Sequence, residues 1–164
     1  MPSRPRQGAM PADFSGPQDA AALVLQARAL AGAGEAARQL LNGKNLALLS
    51  PSKDDQSASE FVQAAAALGA HVSLVQPGLD ARSSARQVED TARMLGRLYD
   101  AVECQHLPAA LVQRIARSAG IPVFAGLATA AHPTTALAAE LDGDASPADK
   151  RRRILQAALI VSMA

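Results

Sequence analysis

NGKNLALLSPSKDDQSASEFVQAAAALGAHVSLV, residues 42–75, holds two apolar strand-like runs and the helix between them. Asn42-Gly43-Lys44 is a turn. The NLALLS run at 45–50 is short, apolar and bounded by turn signals, which fits a buried strand. Residues 56–68 carry a helix that ends at Gly69, and HVSLV at 71–75 is a second strand. The same alternation runs outward in both directions. Ahead of it, 18–41 reads as one helix with Leu23, Ala27 and Leu30 on one face, weakened in its middle by Gly32 and Gly34. Behind it come a helix at 85–98, a strand at 100–104, a helix at 108–119 stopped by Gly120, and a strand at 121–125. A helix from about 134 to 141 and a last helix opened by Pro147 at its N1 position complete the order.

Strands alternating with helices predict an α/β fold, a four-stranded parallel sheet in three layers with helices on both faces, closed by the C-terminal helix. In such sheets ligands bind beyond the carboxyl ends of the strands, so the segments to inspect are 50–57, 76–86, 105–108 and 126–135. The chain has 164 residues, about one domain. Residues 1–17, rich in Pro, Gly and Ser, read as a flexible tail, and 18–164 as a single unit.

Composition removes several function classes. A net charge of +1 gives no strong attraction for nucleic acid or anionic lipid, and 2% aromatics supply no stacking platforms. No apolar run is long enough for a membrane helix, and the first residues do not read as a signal peptide, so a cytoplasmic protein is expected. The single Cys104 permits neither an internal disulfide nor a multi-cysteine zinc site, and reads as a small core residue at a strand end. His71, His106 and His132 show no metal-ligand spacing, so neither a metal nor another cofactor is expected.

Five features occur in order along the chain: Asn42-Gly43-Lys44; Leu68-Gly69-Ala70-His71; Glu89-Asp90-Thr91-Ala92-Arg93-Met94-Leu95; Ile121-Pro122-Val123-Phe124-Ala125-Gly126-Leu127; and His132-Pro133-Thr134-Thr135-Ala136-Leu137-Ala138. In this order and spacing they resemble the carbamoyl-phosphate-binding domain of the aspartate/ornithine carbamoyltransferase family, over roughly 18–141. The Asp-Thr-Ala-Arg stretch and the last helix lean to the ornithine branch. Ala148-Asp149-Lys150-Arg151 and the helix after it are similar to the family's closing helix. That helix follows the His-Pro motif almost at once, so the family's amino-acid-binding second domain is expected to be absent.

The resemblance also assigns candidate sites. The family's phosphate loop, Ser-Thr-Arg-Thr-Arg at a helix N-terminus, aligns with Asp54-Asp55-Gln56-Ser57-Ala58, where both arginines are replaced and Ser57 keeps a hydroxyl. Free N–H groups and the positive end of a helix suit an anion, and arginine forks add charge. Asp54 and Asp55 do the reverse. Like charges ~4 Å apart repel by roughly 1 kcal/mol in water and ~4 kcal/mol at an effective dielectric near 20. The plainer role for either acid is a helix cap. Gln105 stands where the family has an arginine that polarises the carbamoyl carbonyl. His132 matches the histidine that hydrogen-bonds the carbamoyl oxygen, and Thr135 the glutamine that contacts the carbamoyl amide. His132-Pro133 is equally expected of a turn that needs them. Arg82 and Arg86 match a loop that enters a neighbouring subunit's site, though solvated arginines are the commoner case, as they are for Arg151 to Arg153.

The resemblance therefore implies a carbamoyltransferase-related domain, non-catalytic by itself, that serves as a binding or assembly module. The expected associations are a homotrimer or a complex with a full-length carbamoyltransferase. Two other readings stay open. One is a residual carbamoyl-phosphate binder or transferase component whose site is completed by a partner subunit. The other is a sensor of a neutral or cationic amide or amine.

Overall fold

A computed structural model describes residues 11–14, 16–51 and 55–163. Four strands, β1 (Asn45–Leu49), β2 (His71–Val75), β3 (Ala101–Cys104) and β4 (Val123–Ala125), form one parallel sheet in the order β2-β1-β3-β4. The register sets Leu46 opposite both Val72 and Ala101, and Val102 opposite Val123. Alternation along β1 sorts its side chains into two cores. Leu46 and Leu48 join Leu23, Leu30, Phe61, Phe124 and Ile154 on one face. Ala47 and Leu49 join Val88, Leu95, Val102, Leu111 and Ile115 on the other.

Helices α1 (Pro17–Ala33), α2 (Gln56–Ala66) and α5 (Pro147–Met163) supply the first core, and α3 (Ala85–Leu98) and α4 (Ala109–Ala119) the second. This is the expected three-layer α/β domain, and α5 closes it by packing on α1 and α2. Among the described residues no helix is long and apolar enough to cross a membrane.

Three expectations need correction. The helix predicted over 18–41 stops at Ala33, because Gly34 takes a positive φ of 54°; a 3₁₀ segment, Gly34–Gln39, follows. The helix predicted from about 134 is a 3₁₀ helix, Pro133–Glu140, where the β-branched pair Thr134-Thr135 disfavours an α-helical start. Within the predicted tail, Ala12 N–H donates to the Val123 carbonyl (2.9 Å), Phe14 stacks on Phe124 with centroids 6.2 Å apart, and Pro17 already belongs to α1. Residues 1–10 and 15 lie outside the described residues.

The turn after β4 is gripped from two sides. Gly126 has φ 68°, and a Cβ there would lie 3.0 Å from the Thr129 hydroxyl. Glu103, fully buried on β3, accepts the Leu127 and Ala128 N–H groups at 2.9 Å each. From α5, Arg151 donates to the carbonyls of Leu127 (2.7 Å) and Thr129 (3.4 Å). Burial raises the Glu103 carboxyl to about 7, against the opposing pull of the Ala128 and Leu127 amides and Gln105. Burial and then the Glu103 charge push the neighbouring Cys104 thiol up as well.

Two predictions follow from these contacts. A Cβ at Gly96 would sit 1.9 Å from the Ala119 carbonyl oxygen across the α3–α4 crossing, whereas one at Gly32 meets nothing within 4 Å. Helix propensity alone would make both Gly→Ala changes stabilising. Urea unfolding should instead show Gly32→Ala gaining about 0.5–1 kcal/mol and Gly96→Ala losing about 2 kcal/mol or more. For Glu103, the folded state holds a proton that the unfolded chain releases between the ordinary carboxyl value of 4.5 and about 7. Stability present below that window is therefore lost as pH rises through it, by on the order of 3 kcal/mol. Unfolding midpoints at pH 5 and pH 8 should show this loss relative to Glu103→Gln; parallel pH profiles would contradict it.

Candidate functional site

The chain's route through the sheet marks one place for a ligand. β1 connects outward to β2, while β3 and β4 lie on β1's other side, so the order reverses between β1 and β3. A crevice opens beyond the carboxyl ends of strands at such a point. One bank is the start of α2, reached from β1; the other is Gln105-His106, which follows β3.

Sequence reasoning placed Ser57 and Gln105 there, and the structure brings them together. Gln105 is fully buried. Its Nε2 donates to the Ser57 carbonyl (3.1 Å) and to Glu103 Oε2 (3.3 Å), and its backbone N–H donates to Leu49 O (2.9 Å). The Gln105 amide thus ties α2 to the sheet, while its Oε1 is buried with no partner among the described residues.

Asp55 takes the N-cap position of α2 with extended backbone (φ −74°, ψ 141°), yet its side chain makes no capping hydrogen bond. The carboxylate turns to His106 Nε2 on the opposite bank and also lies against the Gln56 and Ser57 N–H groups. The His106 hydrogen bond is the main reason the Asp55 carboxyl is held below its ordinary value, with desolvation opposing. Asp54 lies outside the described residues.

His132 and Thr135 sit on the 3₁₀ turn beyond β4. The His132 imidazole, 6% exposed, accepts the Thr134 N–H at Nδ1 (3.2 Å) and lies 2.9 Å from the Thr134 hydroxyl. An accepting Nδ1 puts the ring proton on Nε2. Burial and then the Arg151 charge hold His132 below its ordinary value, with Asp13 opposing. A neutral ring with an Nε2–H donor results. Thr135 Oγ1 is buried without a partner among the described residues. Among the described residues no hydrogen bond joins these two residues directly to Ser57 or Gln105. The link is indirect, through Glu103 to the 127–128 amides and on to Thr129, whose carbonyl accepts the His132 N–H (3.2 Å).

Arg82 and Arg86 stay outside this grouping. The Arg82 N–H closes a turn on Asp80 (2.7 Å), and Arg86 on α3 lies 4.0 Å from Asp90 with both side chains exposed. His71 lies at the amino end of β2, away from the crevice. Among the described residues no group of three or more His, Cys, Asp or Glu is placed to hold a metal ion. Two open cavities lie elsewhere. One of about 300 Å³ meets Phe14, Ile121 and Pro122 at the amino end of β4. Another of about 360 Å³ runs between Val62 of α2 and Leu74 of β2. Glu103 and the Asp55–His106 pair were not foreseen as site features. Glu103 had a signal, an acid inside a buried strand, whereas the pair joins residues 51 apart with no local sign.

Residues 11–142 match the family described as aspartate/ornithine carbamoyltransferase, carbamoyl-P binding domain. The ornithine carbamoyltransferase of Actinobacillus pleuropneumoniae serotype 5b is 40% identical over 101 residues, covering 62% of this chain and 30% of that protein. The Cutibacterium acnes enzyme is 39% identical over 99 residues, 60% of this chain and 30% of its own length. Among solved structures, ornithine carbamoyltransferase from Pyrococcus furiosus aligns with a TM-score of 0.64 at 27% identity, covering 81% of this chain and 44% of that one. The Thermus thermophilus enzyme aligns at 0.62 and 28%, covering 84% and 47%. The chain thus spans 30% of the length of the relatives it matches in sequence. With its parallel sheet, its strand order and a match over most of its length, the chain belongs to the aspartate/ornithine carbamoyltransferase family through the carbamoyl-phosphate-binding domain.

Proposed function

We propose that this chain is a binding or assembly module of carbamoyltransferase type that does not turn over carbamoyl phosphate by itself. Carbamoyl transfer relies on positioning and on stabilising charge at the carbonyl oxygen and the leaving phosphate. The observation that carries the proposal is the charge across the crevice. An arginine would offer five donors and a full positive charge; Gln105 offers one amide, and both hydrogen bonds it donates stay within the protein. On the opposite bank stands the Asp55 carboxylate, where a dianion would need cations. The proposed assemblies are a homotrimer or association with a full-length carbamoyltransferase subunit.

A second reading is favoured by the orphan atoms. Gln105 Oε1 and Thr135 Oγ1 are buried without a partner among the described residues, at two of the positions aligned with carbamoyl contacts. Leaving such a group unpaired costs about 1–3 kcal/mol, and each instance calls for an explanation. An N–H donor such as a carbamoyl amide would satisfy Gln105, and the Nε2–H of neutral His132 would meet a carbonyl oxygen. In this reading the missing cations come from a partner subunit, with Arg82 on an exposed loop as the candidate.

Calorimetric titration of the purified chain with carbamoyl phosphate separates the two readings. The first expects no heat of binding at micromolar ligand; a micromolar dissociation constant overturns it. Light scattering should give a mass near three chains or, when co-expressed, a complex with a full-length carbamoyltransferase. A strict monomer that captures no such enzyme would remove the assembly role.

A further inference from the structure

The Asp55–His106 pair sits on an unusual piece of backbone. His106 has φ 58°; of the described non-glycine residues only it and Phe14 lie in the left-handed region. Residues held there store strain that the surroundings must offset. This conformation directs the imidazole from the end of β3 onto the start of α2. The side chains are 50% and 30% exposed, and ion pairs so exposed contribute little to global stability. Strain on one side and small stabilisation on the other make a purely structural role a poor account of the pair.

Its position gives a better one. Asp55 leads into α2 from β1, and His106 follows β3, so the contact spans the two banks at the point where strand order reverses. A second tie, Gln105 Nε2 to the Ser57 carbonyl, joins the same two banks. The Asp55 carboxylate lies against the first-turn N–H groups of α2, those of Gln56 and Ser57. Beside them lies fully buried Gln105, whose Oε1 has no partner among the described residues. The strap therefore covers groups suited to a ligand.

We propose that Asp55 and His106 form an autoinhibitory strap: their ion pair holds the start of α2 against the β3–α4 turn, and the carboxylate competes with any anionic ligand for the crevice. The strap explains why a member of this family would fail to bind a dianion at rest, and so it rests on the first reading above.

Amide hydrogen exchange and titration with inorganic phosphate test it. Asp55→Asn keeps a side chain of the same size but removes the charge, and His106→Ala cuts the strap but leaves the charge. Both variants should raise exchange at the 57–59 amides about tenfold while leaving the sheet amides unchanged. The double variant should exchange no faster than either single one. Phosphate should bind Asp55→Asn at least tenfold more tightly than the unmodified chain, and should bind His106→Ala no better than it. Unchanged exchange in both single variants overturns the strap, as does an Asp55→Asn chain that binds phosphate no better. Tight carbamoyl-phosphate binding by the unmodified chain would instead defeat the non-catalytic reading, so the two failures are distinguishable.

Discussion

Two backbone amides with no backbone acceptor dictate much of this structure. Leu127 and Ala128 turn away from the sheet just after β4, where their N–H groups are buried, and a buried unpaired N–H is costly. Glu103 meets both from the neighbouring strand. Holding them requires a carboxyl inside the sheet, and that burial raises its proton affinity and leaves an acid beside the Cys104 thiol. The same demand recruits Arg151 from α5, whose guanidinium binds the turn's carbonyls, and couples the last helix to the strand ends. The His132 cap and the 3₁₀ helix beyond it start from this anchored turn.

The opposite bank follows a different logic. At the start of α2 nothing in the fold requires an acid; Ser, Thr or Asn would occupy an N-cap as readily. Asp55 is held by His106 from the opposite bank as well as by the start of its own helix. Likewise Gln105 uses its amide to bind Ser57 and Glu103, where a guanidinium would seek an anion. At these two positions stand a carboxylate and a neutral amide, where an oxyanion site would present positive charge.

Local signals account for what was legible in the sequence. HVSLV at 71–75 and the helix at 85–98 are read to the residue because turns and a Ser84/Gln87 capping box mark their ends. The break at Gly34 was visible only as a weak point, since propensity does not say whether tertiary contacts carry a helix through a glycine. The grouping of Ser57 with Gln105 came from alignment with a family, and the contact is real. Asp55 stands at the expected N-cap position, but its contact with His106 was missed because a cap is a local inference and His106 lies 51 residues away. Glu103 was overlooked inside a strand read for its apolar pattern. A charged residue at a wholly buried strand position needs a partner, and that rule alone would have singled it out.

Likeness to the family therefore carries different information at different places. Around Gly126 and His132-Pro133 the residue choices answer backbone demands: a positive φ, two buried amides and a 3₁₀ start. A chain could meet all of them and bind nothing, so agreement there speaks for the fold. Residue 55 faces no such demand, since an N-cap takes Ser, Thr or Asn as readily, while Gln105 meets a packing demand with an amide rather than a charge. What stands there bears on the proposed lack of turnover. An acid in an ion pair and a buried amide argue for a crevice that no longer meets a dianion with positive charge, however closely its scaffold follows that of its relatives.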